Sequence, residues 1–567
     1  MGPHHPSKPR LFHDKVSQSP QRSGATIFPV APATAMVVLS MRWQGEFSWL
    51  EIRVKTHGAP KAARPAQVHE LIRGRDDARS VADCILAKQA NSIWSMKEVQ
   101  KCDTEVTSQG GTMDVYNNTS HFENGNRRNG MEALRLLCDA EQPTGPFSDL
   151  SLTLYLFTRR LYDVARKDGV SDLFFFAREG FLLKQMFDVV QANSGTGRIR
   201  SHYLKVSRRS TFLLSLQSLE HEQFEVLFRQ YRRISIAEFL KSLALEEYLP
   251  TFATQLGVEL SRLDERSEDL PHDSLFKSLL KLHSFAQVYE TERLARSKAF
   301  ENYVGSFCGG TIPERLSVVD VGWKGSIQDN VFGWLRNLRG DAARVKGYYV
   351  GLVATGNAGP KNEKAGLLFE SAGQRTAGYY VFNENRSLFE VLLHANHGSA
   401  QRYIQANPKD VIVVEDAFEE GPMIEAIVKP VADCVMAAFL RIAEALSGQD
   451  VTERELLAFA VKRHSRMVFQ PSASEVEWLR SLSHVENFGV FEASTFDNRR
   501  TSPSFAARLR FSIDVFRQGR RDLGFWPWLT IEERALPGMA SVYRMIRMQQ
   551  NRRTMRLRSN STDNKAV

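Results

Sequence analysis

Cysteine is scarce and scattered in this chain. Five occur in 567 residues, at Cys84, Cys102, Cys138, Cys308 and Cys434, and no two form a C-x-x-C pair. That excludes the disulfide framework of small secreted domains and the usual zinc-finger spacings, and makes a reducing cytosol the expected setting. Long apolar runs are missing as well. Residues 28–41, the longest near the N-terminus, are broken by Pro29 and Pro32 and fall short of the about 20 apolar residues of a spanning helix. There is no Walker A loop, no full G-x-G-x-x-G fingerprint, no D-x-D metal motif and no repeat at a solenoid period. Nor is there a strong charge of one sign. A net charge of +9 suits phosphorylated ligands or an anionic membrane surface as readily as nucleic acid.

What is present is ordinary globular material, 43% hydrophobic and 25% charged, enough for a sizeable core. Residues 1–130 read as an irregular or disordered extension in which Pro, Ser, Gly and basic residues dominate, with Met113 as a candidate translational start. Residues 131–400 read as an α/β core with a helical insertion over about 211–305. Residues 401–550 read as helical, and 551–567 as a disordered basic tail. Within the core, a compact apolar strand over 172–177 and further strands over 200–207, 316–321, 345–354 and 365–369 alternate with helical stretches such as 150–169, 180–192 and 331–338. Short buried strands interleaved with helices predict a mostly parallel, Rossmann-like sheet covered on both faces.

Two strand ends carry the chemistry. In LSVVDVGWKGSIQDN (316–330) a strand runs into Gly-x-x-Gly-Ser and then a helix, which places free N–H groups and a helix dipole where an anion can sit. Gly322 and Gly325 allow backbone approach, Ser326 offers a hydroxyl, Lys324 a charge, and Asp320 a carboxylate for sugar hydroxyls or magnesium. The plainer alternative is a tight turn shaped by the glycines with Asp320 as a helix cap. In DLFFFAREGFLLKQ (172–185) a second apolar strand ends on Arg178, suited to two phosphate oxygens, and Glu179, a metal ligand, a proton acceptor or merely a first-turn carboxylate. YLKVSRRS (203–210) adds Arg208 and Arg209, or a solvated basic turn.

The set FFFAREGFLLKQMFD, YLKVSRRS, VVDVGWKGSIQDN and SLFEVLLHANHGSAQRY resembles a family of bacterial polysaccharide-biosynthesis proteins. Its members are commonly labelled predicted hydrolases of the haloacid dehalogenase superfamily. That label belongs to a separate phosphatase domain whose D-x-D-x-[TV] signature is absent here. The remainder, roughly 140–410, is similar to the glycan phosphoribosyltransferases, whose fold is related to type I phosphoribosyltransferases. The chain departs from the type I pattern in carrying one acid rather than a pair, and Glu179 in place of a glycine.

The resemblance implies transfer of 5-phosphoribose from phosphoribosyl pyrophosphate to a hydroxyl of a glycan or lipid-linked glycan, with a separate phosphatase acting afterwards. It implies that Gly322, Lys324, Gly325 and Ser326 hold the 5-phosphate, with Trp323 and Gln328 also binding substrate. Asp320 would hold the ribose hydroxyls and a magnesium ion, Arg178 with Arg208 or Arg209 the pyrophosphate, and Gly180 would also bind substrate. Glu179 or Asp320 would be the base. The other classes weighed are a nucleotide-sugar glycosyltransferase and a non-catalytic scaffold for a phosphorylated ligand. No nucleic acid is expected as a partner. His394 and His397 could ligate a metal or simply end a helix, and Glu384 and Glu390 could face the acceptor or coat a helix surface. Residues 505–529 mix basic and aromatic side chains and could lie on the inner membrane face or pack between domains.

Overall fold

The computed structural model describes residues 36–44, 47–55, 130, 132, 134–135, 145–195, 197–371, 375–408, 410–482, 504–518, 523–524 and 526–563. The chain divides into two units, Met1–Asn117 and Asn118–Val567. In the first, β1 (Met36–Gln44) and β2 (Phe47–Lys55) pair antiparallel, Met36 opposite Lys55 and Gln44 opposite Phe47. An irregular stretch was expected there. MVVLSMRWQ and FSWLEIRVK are rich in the β-branched and aromatic residues that favour strands. The rest of that expectation, with Met113, Cys84 and Cys102, lies outside the described residues, as does Cys138.

The second unit is built on a five-stranded, all-parallel sheet, a Rossmann-like α/β arrangement. Helix α1 (Leu150–Lys167) leads to β3 (Asp172–Phe176), α2 (Gly180–Asn193), β4 (Arg200–Leu204) and α3 (Arg208–Ser215). A helical excursion closes on the long α4 (His283–Ser306). The chain then returns through β5 (Arg315–Asp320), α5 (Ser326–Arg339), β6 (Arg344–Leu352) and β7 (Asn362–Glu370). The strand order is β4-β3-β5-β6-β7.

Every residue of β3 is buried because both faces are covered, which is why DLFFF lacks the alternation of a one-faced strand. Its odd-numbered residues Leu173 and Phe175 join Val319 and Tyr348 in a core with α1 and α2. Its even-numbered residues Phe174 and Phe176 join Val318 and Val345 in a second core with α4 and α5. Each fully buried phenylalanine contributes about 1.5–3 kcal/mol. The excursion has its own core around Phe224, Phe239, Phe276 and Phe285.

Beyond the sheet come α6 (Tyr379–Phe382), α7 (Ser387–Leu392), β8 (Ala400–Gln405), β9 (Val411–Glu415), α8 (Lys429–Ala445), α9 (Glu453–Phe469), α10 (Ala473–Leu482), α11 (Phe505–Gln518), α12 (Pro527–Arg534) and α13 (Met539–Asp563). Two expectations are corrected here. The 401–550 region is not all helical, since β8 and β9 form an antiparallel pair. The tail expected to be disordered continues α13 to Asp563, its helix-forming Arg and Met residues prolonging the pattern. Among the described residues no helix is long and apolar enough to cross a membrane.

Candidate functional site

Three neighbouring strands run into helices at one edge of the sheet: β3 into α2, β4 into α3, and β5 into α5. From β3 the chain moves to β4 on one side, and from β5 it moves to β6 and β7 on the other. The order therefore reverses between β3 and β5, where the carboxyl ends of an open α/β sheet leave a crevice for ligands. The N-terminus of α3 is closed by a capping box between Ser207 and Ser210. Those of α2 and α5, at Glu179 and Gly325, have no side-chain cap, which leaves their first turns suited to an anion.

Asp320 ends β5 at 7% exposure, its Oδ1 accepting the Val321 N–H at 2.8 Å. Burial, and then the charge of Glu179, push its pKa up to about 8. Burial raises Glu179 too, although its own backbone N–H and the Arg178 and Arg208 charges work the other way. Glu390 of α7 presents surface to water but is hemmed in by protein. Desolvation, and then Glu179, push it up to about 7, while Trp323 Nε1 donates to it at 2.8 Å. Arg208, the first residue of α3, is exposed and lies within electrostatic reach of all three carboxyls. Its guanidinium makes no hydrogen bond or ion pair among the described residues. One uncommitted guanidinium and three carboxyls that ionise reluctantly thus share a crevice.

An aromatic cluster adjoins them through the Trp323–Glu390 hydrogen bond. Trp323 stacks on Phe369 with ring centroids 5.6 Å apart and planes 19° apart, meets Phe389 edge-on, and carries Arg386 over its ring at 5.4 Å. Arg178 pairs with Glu420, and its carbonyl accepts the Tyr203 hydroxyl at 3.4 Å. Tyr203 in turn bonds His397 Nε2 at 2.8 Å.

Of the expected residues, Arg178, Glu179, Arg208 and Asp320 lie within electrostatic reach of one another, and Trp323 of the 322–326 loop joins them through Glu390. Two expected residues stand apart. Arg209 is committed to Asp416, Glu246 and the Lys241 carbonyl, so Arg208 alone of the pair is uncommitted. Gln328 is fully buried and holds β6 to β7 through Asn362, the Glu363 carbonyl and the Tyr349 hydroxyl. The glycines are also explained differently. A Cβ on Gly322, at φ +136°, would sit 2.1 Å from the Gly351 carbonyl oxygen, and one on Gly180 2.9 Å from the Phe175 carbonyl carbon. Both serve close packing inside the protein. Gly325, at φ +68°, starts α5 in the left-handed conformation, with Tyr349 Oη 2.7 Å from where a Cβ would be. Lys324 is exposed and Ser326 is half-buried as the first residue of α5. Glu384, weighed as facing the acceptor, is buried against Arg547 and Tyr543.

Lys364 was not anticipated. Its ammonium lies beneath the loop, 2.7 Å from Asp329, and donates to the carbonyls of Lys324 at 3.1 Å and Thr355 at 3.0 Å. Nothing in the sequence announces it except its place at the head of an apolar strand, because its partners come from α5 and from the loops after β5 and β6.

Among the described residues one set of side chains groups like metal ligands, and it lies elsewhere: Asp172 at the start of β3, His202 of β4, and Cys308. Arg200 grips the Asp172 carboxylate with two hydrogen bonds, at 2.7 and 2.6 Å, and His202 Nε2 lies 2.8 Å from it. His394 and His397 belong to no such group. No family model and no curated protein matches the chain.

Proposed function

We propose that the crevice transfers 5-phosphoribose from phosphoribosyl pyrophosphate to a glycan hydroxyl, on a sheet akin to those of type I phosphoribosyltransferases. The observation that carries this reading is the uncommitted Arg208 among Asp320, Glu179 and Glu390 at the point where the strand order reverses. Arg208 and the uncapped start of α2 receive the pyrophosphate, and Arg178 joins them by exchanging Glu420 for the ligand. The start of α5, with Ser326 and Lys324, receives the 5-phosphate. The two phosphate ends then bridge neighbouring strand tips.

As an oxocarbenium-like state forms, negative charge grows on the departing pyrophosphate, and Arg208 is placed to stabilise it. Glu390, with a pKa near neutrality, is matched to accept the acceptor hydroxyl's proton, with Trp323 orienting it. Asp320 binds ribose hydroxyls. Magnesium fits here in the manner of sites built from one carboxylate plus substrate phosphates, because Asp320 is a buried oxygen donor that no cationic side chain among the described residues pairs with. When bound, the ion would neutralise pyrophosphate charge. Trp323 offers a flat apolar surface to a sugar ring. In bacterial surface-polysaccharide synthesis the 5-phosphate would then be removed by a separate phosphatase.

The test is incubation of the full chain with phosphoribosyl pyrophosphate, magnesium and a panel of glycans, reading acceptor-dependent pyrophosphate release. No release with any acceptor, together with no binding of the donor by calorimetry, overturns the reading. Donor binding without release favours a scaffold for a phosphorylated ligand.

A further inference from the structure

Helices α9 and α13 meet where the Ser465 hydroxyl donates to Met548 Sδ at 3.2 Å. Beside that seam a groove of about 620 Å³ is floored by Val461, Met548 and Met555. Lys462, Arg544 and Arg552 stand around it, and none of the three pairs with a carboxylate among the described residues. Asn551 also lines the groove. It is 2% exposed, and its Oδ1 accepts no hydrogen bond among the described residues. A buried amide oxygen without a donor costs stability unless a ligand or water supplies one. Along α13 the apolar strip continues onto Met545, which is 56% exposed.

These features fit one class of ligand. Flexible methionine side chains mould to an irregular or linear apolar chain. Three unpaired cations call for an anion beside that chain, and Asn551 calls for a hydroxyl near the anion. The volume lies in the range of small-molecule sites, about 300–1,000 Å³, and suits a single chain.

We propose that this groove binds an individual single-chain anionic amphiphile whose head carries a hydroxyl next to a phosphate or similar anion. The chain lies on Val461, Met548 and Met555. The anion sits among Lys462, Arg544 and Arg552, and the hydroxyl donates to Asn551 Oδ1. The groove uses none of the crevice residues and does not rest on the transferase reading.

The experiment is calorimetric titration of the full chain with 1-lauroyl lysophosphatidic acid below its micellar concentration. Glycerol 3-phosphate and dodecyl maltoside serve as the head without the chain and the chain without the charge. The expected result is saturable one-to-one binding of the lysolipid, at least about tenfold tighter than either control. The double variant Arg544→Ala, Arg552→Ala should weaken it by a further factor of about ten or more, with an unchanged thermal melt showing that the fold is intact. Asn551→Leu should weaken the lysolipid but not dodecyl phosphate, which lacks the hydroxyl. Equal affinity for dodecyl maltoside, or lysolipid affinity unmoved in the folded double variant, overturns the proposal. Co-sedimentation with phosphatidylcholine vesicles containing phosphatidic acid, in the absence of any lysolipid binding, would reassign the cations to a membrane surface and overturn it too.

Discussion

Two aspartates on adjacent strands of one sheet, each 7% exposed, respond to their surroundings in opposite ways. Asp320, at the end of β5, sits deep, with two acids near it, and its pKa climbs to about 8. Asp172, at the start of β3, is surrounded by fewer protein atoms. Burial raises it, but the hydrogen bonds and charges of Arg200 and His202 outweigh that and hold it below the ordinary carboxylate range. Equal exposure therefore does not decide the outcome. Whether the fold itself supplies a counter-charge does. A carboxylate with its partners built in serves the fold, whereas one left without them is suited to a ligand that brings the cation or the proton.

The sharpest way to break this contrast is Asp320→Asn. Pyrophosphate release should fall by about 10² or more, with the group that contacts ribose and metal removed. Stability should move the other way. A carboxyl whose folded pKa is raised contributes stability that is full below the ordinary carboxylate range and is lost as pH rises toward about 8. The variant removes that loss, so at pH 8 it should be more stable than the parent by on the order of 2 kcal/mol, read by denaturant unfolding.

Asp172→Asn should show the reverse profile. The contribution of Asp172 is present above the ordinary carboxylate range and is lost as pH falls below it. The variant should cost roughly 1–2 kcal/mol at pH 7, a figure kept small because the Arg200 side chain is 64% exposed. Its stability should also depend less on acid pH than the parent's. Donor binding should be unaffected.

Smaller effects separate the two neighbouring arginines. Arg208→Ala should weaken donor binding about tenfold and leave the melt within about 0.5 kcal/mol. Arg209→Ala should leave donor binding alone and cost about 1 kcal/mol through the loss of Asp416 and Glu246. Similar behaviour of the two variants in both assays would erase the distinction between a committed and an uncommitted guanidinium.

The inner strands β3, β5 and β6 were legible because each is a largely apolar run ending in a turn, and parallel strands buried on both faces look like that. The edge strands β4 and β7 are only partly buried, and RSHYL and NEKAGLLFE carry a weaker apolar signal. The pair β8 and β9 was not. Their burial is partial, AQRYIQ mixes polar with apolar residues, and the surrounding helices dominate the local pattern. Within the crevice, Asp320, Glu179 and Arg178 could be found from their place at strand ends. Their distinction from Arg209 and Gln328 could not. Arg209 is taken by Asp416, 207 positions away, and Gln328 by Asn362, 34 away, so both fates depend on pairings that local sequence does not encode.

Lys364 carries a consequence for how the crevice meets its ligand. Its buried ammonium ties the Lys324 and Thr355 carbonyls and Asp329 into one knot under the Gly322–Ser326 turn. The turn's shape is thus set by the folded chain and does not wait for a guest, so the entropy of ordering it is met during folding and association should be quick, with little rearrangement. Loosening the knot would leave the same groups facing the ligand but make them slower to gather around it.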